Sequence, residues 1–239
     1  MSTEKKEAST LDELTALSPI DGRYGSKTKT LRPLLSEHGL IKSRVMIEVL
    51  WVQKLISKLK LVDETELELI QTKLKKIIKD FDKEAGEAVK ALERSTNHDV
   101  KAVEYYLRDK FKKDGVLNQL IPYIHFGCTS EDINNLAHST MLKEARDCFI
   151  LPSLQSLSNH LRLLANRFAT IGMLSRTHGQ PATPTTMGKE IANFVHRLEC
   201  QSSVLSKSQL KGKLNGAVGN YNAFQVSHPE MDWPEVSSE

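Results

Sequence analysis

Apolar residues along this chain recur at steps of three and four, the period of one face of a helix. Leu40, Ile41, Val45, Val49, Val52, Leu55, Ile56 and Leu59 predict a helix over about residues 36–60. Asp63 with Glu66 reads as a capping pair. Behind it Leu67, Ile70, Leu74, Ile77 and Phe81 form a second stripe, and Val100, Val103, Leu107 and Phe111 a third. The pattern breaks over residues 112–115, which places a domain boundary there and divides the chain into 11–114 and 115–239. Beyond the break, Thr129 or Ser130 caps a helix carrying Ile133, Leu136, Thr140 and Met141, and Pro152 breaks or kinks the run. Leu154, Leu157, Leu161, Leu164 and Phe168 line the next helix. Thr183 followed by Pro184 reads as an N-cap and a first-position proline. The helix they open carries Met187, Ile191, Phe194, Val195, Leu198 and Leu205 and runs to about Leu210. Residues 1–10 read as a disordered lead and 18–25 as turns, through Pro19, the Asp21-Gly22 pair and Gly25. With no period-two alternation, repeat or low-complexity tract, the expected fold class is all-α. Helices this long need partners, so 130–170 and 184–210 read as bundle helices.

Composition narrows the function classes. The 239 residues are 39% hydrophobic and 26% charged, ordinary for a soluble globular protein. A net charge of +3 with interleaved acidic and basic residues gives no footprint for nucleic acid. The cysteines Cys128, Cys148 and Cys200 are odd in number and far apart, which argues against a disulfide framework and for a reducing compartment. None has zinc-ligand spacing. Cys128 reads as a partly buried filler rather than a reactive thiol. The first ten residues are polar and carry no secretory signal. No run approaches the roughly 20 apolar residues that span a bilayer. The expectations are therefore a cytoplasmic location, no membrane partner, no metal and no organic cofactor.

Candidate chemistry sits in three polar strings, each opening or preceding a helical stretch. Ser175-Arg176-Thr177-His178-Gly179-Gln180-Pro181-Ala182-Thr183 puts His178 on a loop before a long helix. A histidine there moves a proton near neutral pH, and the glycine permits close approach. In Ser95-Thr96-Asn97-His98-Asp99-Val100 the carboxylate beside His98 favours the imidazolium and orients the ring. Asn97 and Asp99 also suit helix capping. Ile124-His125-Phe126-Gly127-Cys128-Thr129-Ser130-Glu131-Asp132 offers two hydroxyls and free N–H groups at a helix start, a carboxylate site or a cap. His125 either joins that site or packs inside. Arg23 and Tyr24 follow a tight turn, where an arginine fork suits a phosphate; a plain surface position is the alternative. Lys189 and Glu190 read as a solvated face. The glycine-bearing loop 212–222 lacks the ending of a phosphate-binding loop. The three strings suggest three helices converging on one site.

Taken with Ser18-Pro19-Ile20-Asp21-Gly22-Arg23-Tyr24 and Gly212-Lys213-Leu214-Asn215-Gly216-Ala217-Val218-Gly219-Asn220-Tyr221-Asn222, these strings resemble the adenylosuccinate lyase family of the fumarase/aspartase superfamily, from about residue 11 onward. The resemblance implies an N-terminal helical domain, then part of a long-helix central bundle, in a homotetramer with sites shared between three subunits. It implies a lyase of purine biosynthesis. The reaction is anti elimination of fumarate from adenylosuccinate, giving AMP, and from the succinyl-aminoimidazole-carboxamide ribotide. His178 takes the general-acid role. Asn97, His98, Asp99, Thr129, Ser130 and Thr177 become substrate contacts, with His98 positioning or polarising the succinyl part. Arg23 and Tyr24 become contacts to the nucleotide phosphate, His125 lies near the site, and the glycine loop supports it. The superfamily's mobile loop Gly-Ser-Ser-x-Met-Pro-x-Lys-x-Asn-Pro, which carries the serine base, does not occur in this sequence. The expectations are a partial chain, little or no activity alone, and self-association through unpaired bundle helices. The alternatives are another superfamily lyase, such as argininosuccinate lyase or aspartase, or a non-catalytic subunit that joins tetramers of full-length subunits.

Overall fold

The computed structural model describes residues 14–238, so the lead expected over 1–10 lies outside the described residues. After a series of turns, the short helix α1 (Arg32–Leu35) meets α2 (Glu37–Leu59) at Ser36, whose hydroxyl accepts the Gly39 N–H at 3.3 Å. Helices α3 (Glu64–Lys79), α4 (Lys83–Thr96) and α5 (Asp99–Lys112) pack around α2. Ile41, Val45, Val49, Val52 and Ile56 of α2 bury against Ile70, Leu74, Val89, Val103, Leu107 and Phe111 as one core. Leu117, Leu120 and Ile124, around the 3-10 turn Asn118–Tyr123, join the same core, so apolar contacts run across the break at 112–115. Asp63 occupies the N-cap of α3, but its side chain makes no capping bond; its backbone oxygen takes the Glu66 and Leu67 N–H groups instead. The expected capping pair is not formed.

Helix α6 (Ser130–Ala145) lies against α2 and continues through a π-helical turn, Arg146–Ile150, into α7 (Leu151–Arg167). Pro152 explains the turn. It has no N–H to continue the regular ladder, and just before it the Leu151 N–H reaches back five residues to the Arg146 oxygen. The run is widened at the proline without being broken.

Helix α8 (Met187–Lys207) returns along α7, with the Arg162 guanidinium paired to Glu199. Gly188 makes this possible. Its N–H donates to the Phe168 oxygen at 2.9 Å, and a Cβ placed there would meet the Ala165 oxygen at 2.3 Å and Ala169 at 2.6 Å. The start of α8 differs from the expectation at Thr183-Pro184. Residues β1 (Gly172–Met173) and β4 (Thr185–Thr186) form a short antiparallel ladder, and Thr186 is the true N-cap, accepting the Lys189 N–H at 3.1 Å. The ladder keeps Thr185 and Thr186 extended, so no helix forms until Met187. Between these strands, β2 (Arg176–Thr177) and β3 (Gln180–Pro181) form a hairpin. Four two-residue strands leave the fold all-α.

From α8 the chain returns to α6, where Lys211 and Lys213 meet Ser139 and Asn135. Helices α9 (Asn222–Ser227) and α10 (Trp233–Ser238) then close a second core of Trp51, Leu55, Phe224, Trp233 and Val236. Leu163, Phe194 and Val204 on α7 and α8 remain 62–66% exposed. Gly188→Ala is expected to cost about 1–3 kcal/mol by forcing α7 and α8 apart, read as a lower denaturant midpoint. Gly115→Ala, whose Cβ would meet nothing within 4 Å, is expected to leave that midpoint near wild type.

Candidate active site

Each polar string occupies the end of an element, and the local reasons differ. Asn97 closes α4 in the left-handed conformation, φ +52°, and His98 is the N-cap of α5. The His98 ring does the capping: Nδ1 accepts the Lys101 N–H at 3.2 Å. In this geometry Nδ1 is an acceptor and does not donate to Asp99 Oδ1, 3.7 Å away. Asp99 turns elsewhere. Its Oδ1 accepts the Val100 N–H at 2.9 Å and its Oδ2 meets Arg44 Nη2 at 2.6 Å. Burial raises the Asp99 pKa, but the Val100 N–H and the Arg44 charge outweigh it and leave the carboxyl below its usual range.

Arg44 and Glu48 carry the arrangement, and reading apolar stripes passes over both. They lie one turn apart on α2, buried among Ile41, Val45, Val49 and Val52. Arg44 Nε also donates to Asn134 Oδ1 at 2.9 Å, so one guanidinium ties the start of α5 to α6. Glu48 Oε1 meets His125 Nδ1 at 2.6 Å and Oε2 accepts the His125 N–H at 3.0 Å. Burial lowers the His125 pKa, yet Glu48 more than reverses this; Glu104 reinforces it, Lys101 opposes it, and the ring ends above its ordinary value. The available signal was a charged pair at a four-residue step inside an otherwise apolar face.

Thr129 is the N-cap of α6, and its N–H donates to Asp132 Oδ2 at 2.9 Å, one half of a capping box. Ser130 opens the helix, half-buried, with its hydroxyl unpartnered among the described residues. Asp132 has no exposed surface. It also receives the Gly216 N–H at 3.1 Å, the Asn215 N–H at 3.2 Å and Lys213 Nζ at 2.9 Å. The Asn135 amide brackets Lys213, accepting its N–H at 2.7 Å and donating to its oxygen at 3.0 Å. These bonds strap the glycine loop onto the first turns of α6. Gly127, φ +67°, lets the chain pass Phe224, whose ring would lie 2.4 Å from a Cβ.

His178 is placed differently. It and Gly179 form the two-residue loop of the β2–β3 hairpin, with φ +48° and +77°, the positive pair that a type I′ turn requires. Thr177 pairs with Gln180 in the hairpin. The His178 ring is exposed and bonded to nothing among the described residues. Among the described residues no hydrogen bond or ion pair joins this hairpin to the starts of α5 and α6. The helical run from α6 through α7 separates them, on the order of 50 Å at about 1.5 Å per residue. Within one chain, therefore, Arg44 and α2 gather the His98–Asp99, His125 and Thr129–Ser130 groups, and the expected convergence of the third string does not occur. Arg23 and Tyr24 sit apart on an exposed turn, the guanidinium 5.9 Å from the Tyr24 ring centre. Lys189 Nζ pairs with Glu190 at 3.0 Å on an exposed face. Burial first, with Glu48 and Asp132 adding, pushes the Cys128 thiol well up, away from a reactive thiolate. Among the described residues no cluster of histidine, cysteine, aspartate and glutamate forms a metal site.

The sequence profile of a family described as lyase matches residues 22–238. The chain is 49% identical over 233 residues to adenylosuccinate lyase of Haemophilus influenzae, covering 96% of this chain and 50% of that protein. Adenylosuccinate lyase of Escherichia coli K12 is 49% identical over 231 residues, with the same coverage. The chain thus spans about half the length of the curated relatives it matches. Among solved structures, the fold is similar to a fumarate lyase from Mesorhizobium sp. at TM-score 0.69 and 20% identity, covering 88% of this chain and 46% of that one. It is also similar to a β-carboxy-cis,cis-muconate cycloisomerase from Acinetobacter calcoaceticus at TM-score 0.65 and 20% identity, covering 87% and 46%.

Asp132→Asn removes an acceptor that the loop's N–H groups and Lys213 all use. It is expected to cost about 1–3 kcal/mol and to speed amide exchange at Asn215 and Gly216, seen by hydrogen–deuterium exchange, while α3 stays protected.

Proposed function

Because the chain belongs to the lyase family whose profile spans residues 22–238, we propose that it is part of an adenylosuccinate lyase subunit. The reaction is elimination of fumarate from adenylosuccinate, giving AMP, and from the succinyl-aminoimidazole-carboxamide ribotide. The observation that carries this reading is 49% identity to adenylosuccinate lyases along 96% of the chain. The other superfamily chemistries, represented by structures at 20% identity, have far less support.

Elimination across a carbon–nitrogen bond needs a base for the carbon-bound proton, an acid for the departing nitrogen, and donors for the charge that builds on the neighbouring carboxylate. That last term is usually the largest. Thr129 and Ser130 supply hydroxyls and N–H groups at the positive end of α6, suited to a succinyl carboxylate. Asn97, His98 and Asp99, at the junction of α4 and α5, position the succinyl part. His125, gripped by Glu48, adds a donor beside them. Arg23 and Tyr24 take the nucleotide phosphate. His178 and Thr177 come from the β2–β3 hairpin, with His178 protonating the leaving nitrogen. Because the hairpin lies a helix-length from the other groups, the site is completed between copies. The proposed assembly is a homotetramer or a tetramer with full-length subunits, joined through the exposed faces of α7 and α8. The domain division 11–114 and 115–239 and a cytoplasmic location belong to the same reading. Among the described residues no helix is long and apolar enough to cross a membrane.

Adenylosuccinate cleavage, followed as AMP and fumarate, is expected to be weak for the chain by itself, because the serine-base loop of the resemblance does not occur in its sequence. Assembled with full-length subunits, the sites that use this chain's hairpin are expected to lose about 10²–10⁴-fold in turnover on His178→Ala. Turnover at those sites that His178→Ala leaves unchanged would sink the assignment.

A further inference from the structure

Glu48 lies mid-way along α2 with no exposed surface, between Val45, Val49 and Val52. Desolvating a carboxylate there is costly, and only close partners offset it. Both oxygens serve one residue: Oε1 meets His125 Nδ1 at 2.6 Å, and Oε2 accepts the His125 N–H at 3.0 Å. His125 itself is held at φ +59°, a left-handed conformation uncommon for a residue with a β-carbon. Its oxygen accepts the Cys128 N–H at 3.2 Å, one residue before the N-cap of α6. With Nδ1 committed to Glu48, Nε2 is the ring's remaining polar atom, and none of the described residues takes it. The two oxygens together fix the backbone and the ring of His125.

We infer that Glu48 is a positioning residue: it grips the backbone and ring of His125 together, so that Nε2–H is presented beside the start of α6 to a carboxylate oxygen of the ligand. This deepens the proposed lyase reading and rests on it for the ligand's identity. The charged groups facing the His125 ring are Glu48 from α2 and Glu104 and Lys101 from α5. Burial favours the neutral ring; Glu48 overrides it, and the charged form is favoured in the fold. Because the folded pKa is raised, the pair's stabilisation is complete below the unfolded value of about 6.5 and fades as pH rises through the folded value.

The test is a nuclear magnetic resonance titration of the histidine rings in the full chain, for wild type, Glu48→Gln and Glu48→Asp, with and without adenylosuccinate. In wild type His125 is expected to titrate above an ordinary histidine. Glu48→Gln is expected to lower that midpoint by about one pH unit or more and to raise the adenylosuccinate concentration that perturbs the His125 signal by about tenfold. Glu48→Asp, too short to reach both atoms, is expected to fall between, and it carries the test should the glutamine variant fail to fold. A midpoint unmoved in a folded variant, or an adenylosuccinate response equal in variant and wild type, overturns the inference. The His125 midpoint is read without substrate, whereas the lyase reading is judged by His178→Ala on turnover, so the two fail separately.

Discussion

Arg44 and Glu48, two opposite charges one turn apart on the buried face of α2, set the geometry on which the candidate site depends. A buried ion is tolerated only when its partners are close and well directed; removing one partner of such a pair costs about 3–5 kcal/mol. Arg44 reaches Asp99 at 2.6 Å and Asn134 at 2.9 Å. Glu48 holds both the N–H and the ring of His125. These partners come from the start of α5, from α6 and from the turn leading into α6. A shift of α2 by even part of a turn would strand both charges among valines. Apolar packing brings α2, α5 and α6 together without fixing their relative rotation tightly, and the two charges supply that missing constraint.

Asp132 plays the corresponding part for the chain that returns after α8. Its partners include three backbone N–H groups, from Thr129, Asn215 and Gly216. They belong to two segments more than eighty residues apart in sequence. A loop rich in glycine carries a high entropic cost of ordering. A fully buried acceptor that satisfies several of its donors at once offsets that cost, and Lys213 balances the charge. The polar tip of α6 is thereby kept in place while the Ser130 hydroxyl stays unpartnered among the described residues.

Much of this was legible in the chain. The stripes over α2 and α5 gave the right faces because each helix buries one side against several neighbours: Val100, Val103, Leu107 and Phe111 are all buried. The stripes over α7 and α8 gave the right elements but not the burial, since among the described residues each packs mainly on the other. Thr183-Pro184 misled because a proline fits an extended strand approach as readily as a helix start, and the ladder to Gly172–Met173 decided between them. The hairpin at His178 is too short for period-two alternation to register. Arg44, Glu48 and Asp132 escaped notice for a different reason: a pattern search rewards apolar residues at core positions, while the residues that orient this site are charged ones in the same places. Their meaning depends on partners 55 to 90 positions away along the chain.

The separation of His178 from the other polar groups then becomes informative. A type I′ turn, two short ladders and the close approach at Gly188 hold the histidine at one end of the α7–α8 pair. The ring they present is exposed and unpartnered among the described residues. The same pair of helices leaves Leu163, Phe194 and Val204 open to water. On the proposed reading these are one fact seen twice: apolar faces that need a partner, and a proton donor whose substrate contacts lie on that partner. Burial of the faces and completion of the site would be a single event, which couples association to chemistry. A chain that fails to associate would keep its fold around α2 and its Arg44 and Glu48 contacts, and still have its acid and its carboxylate donors about a helix-length apart.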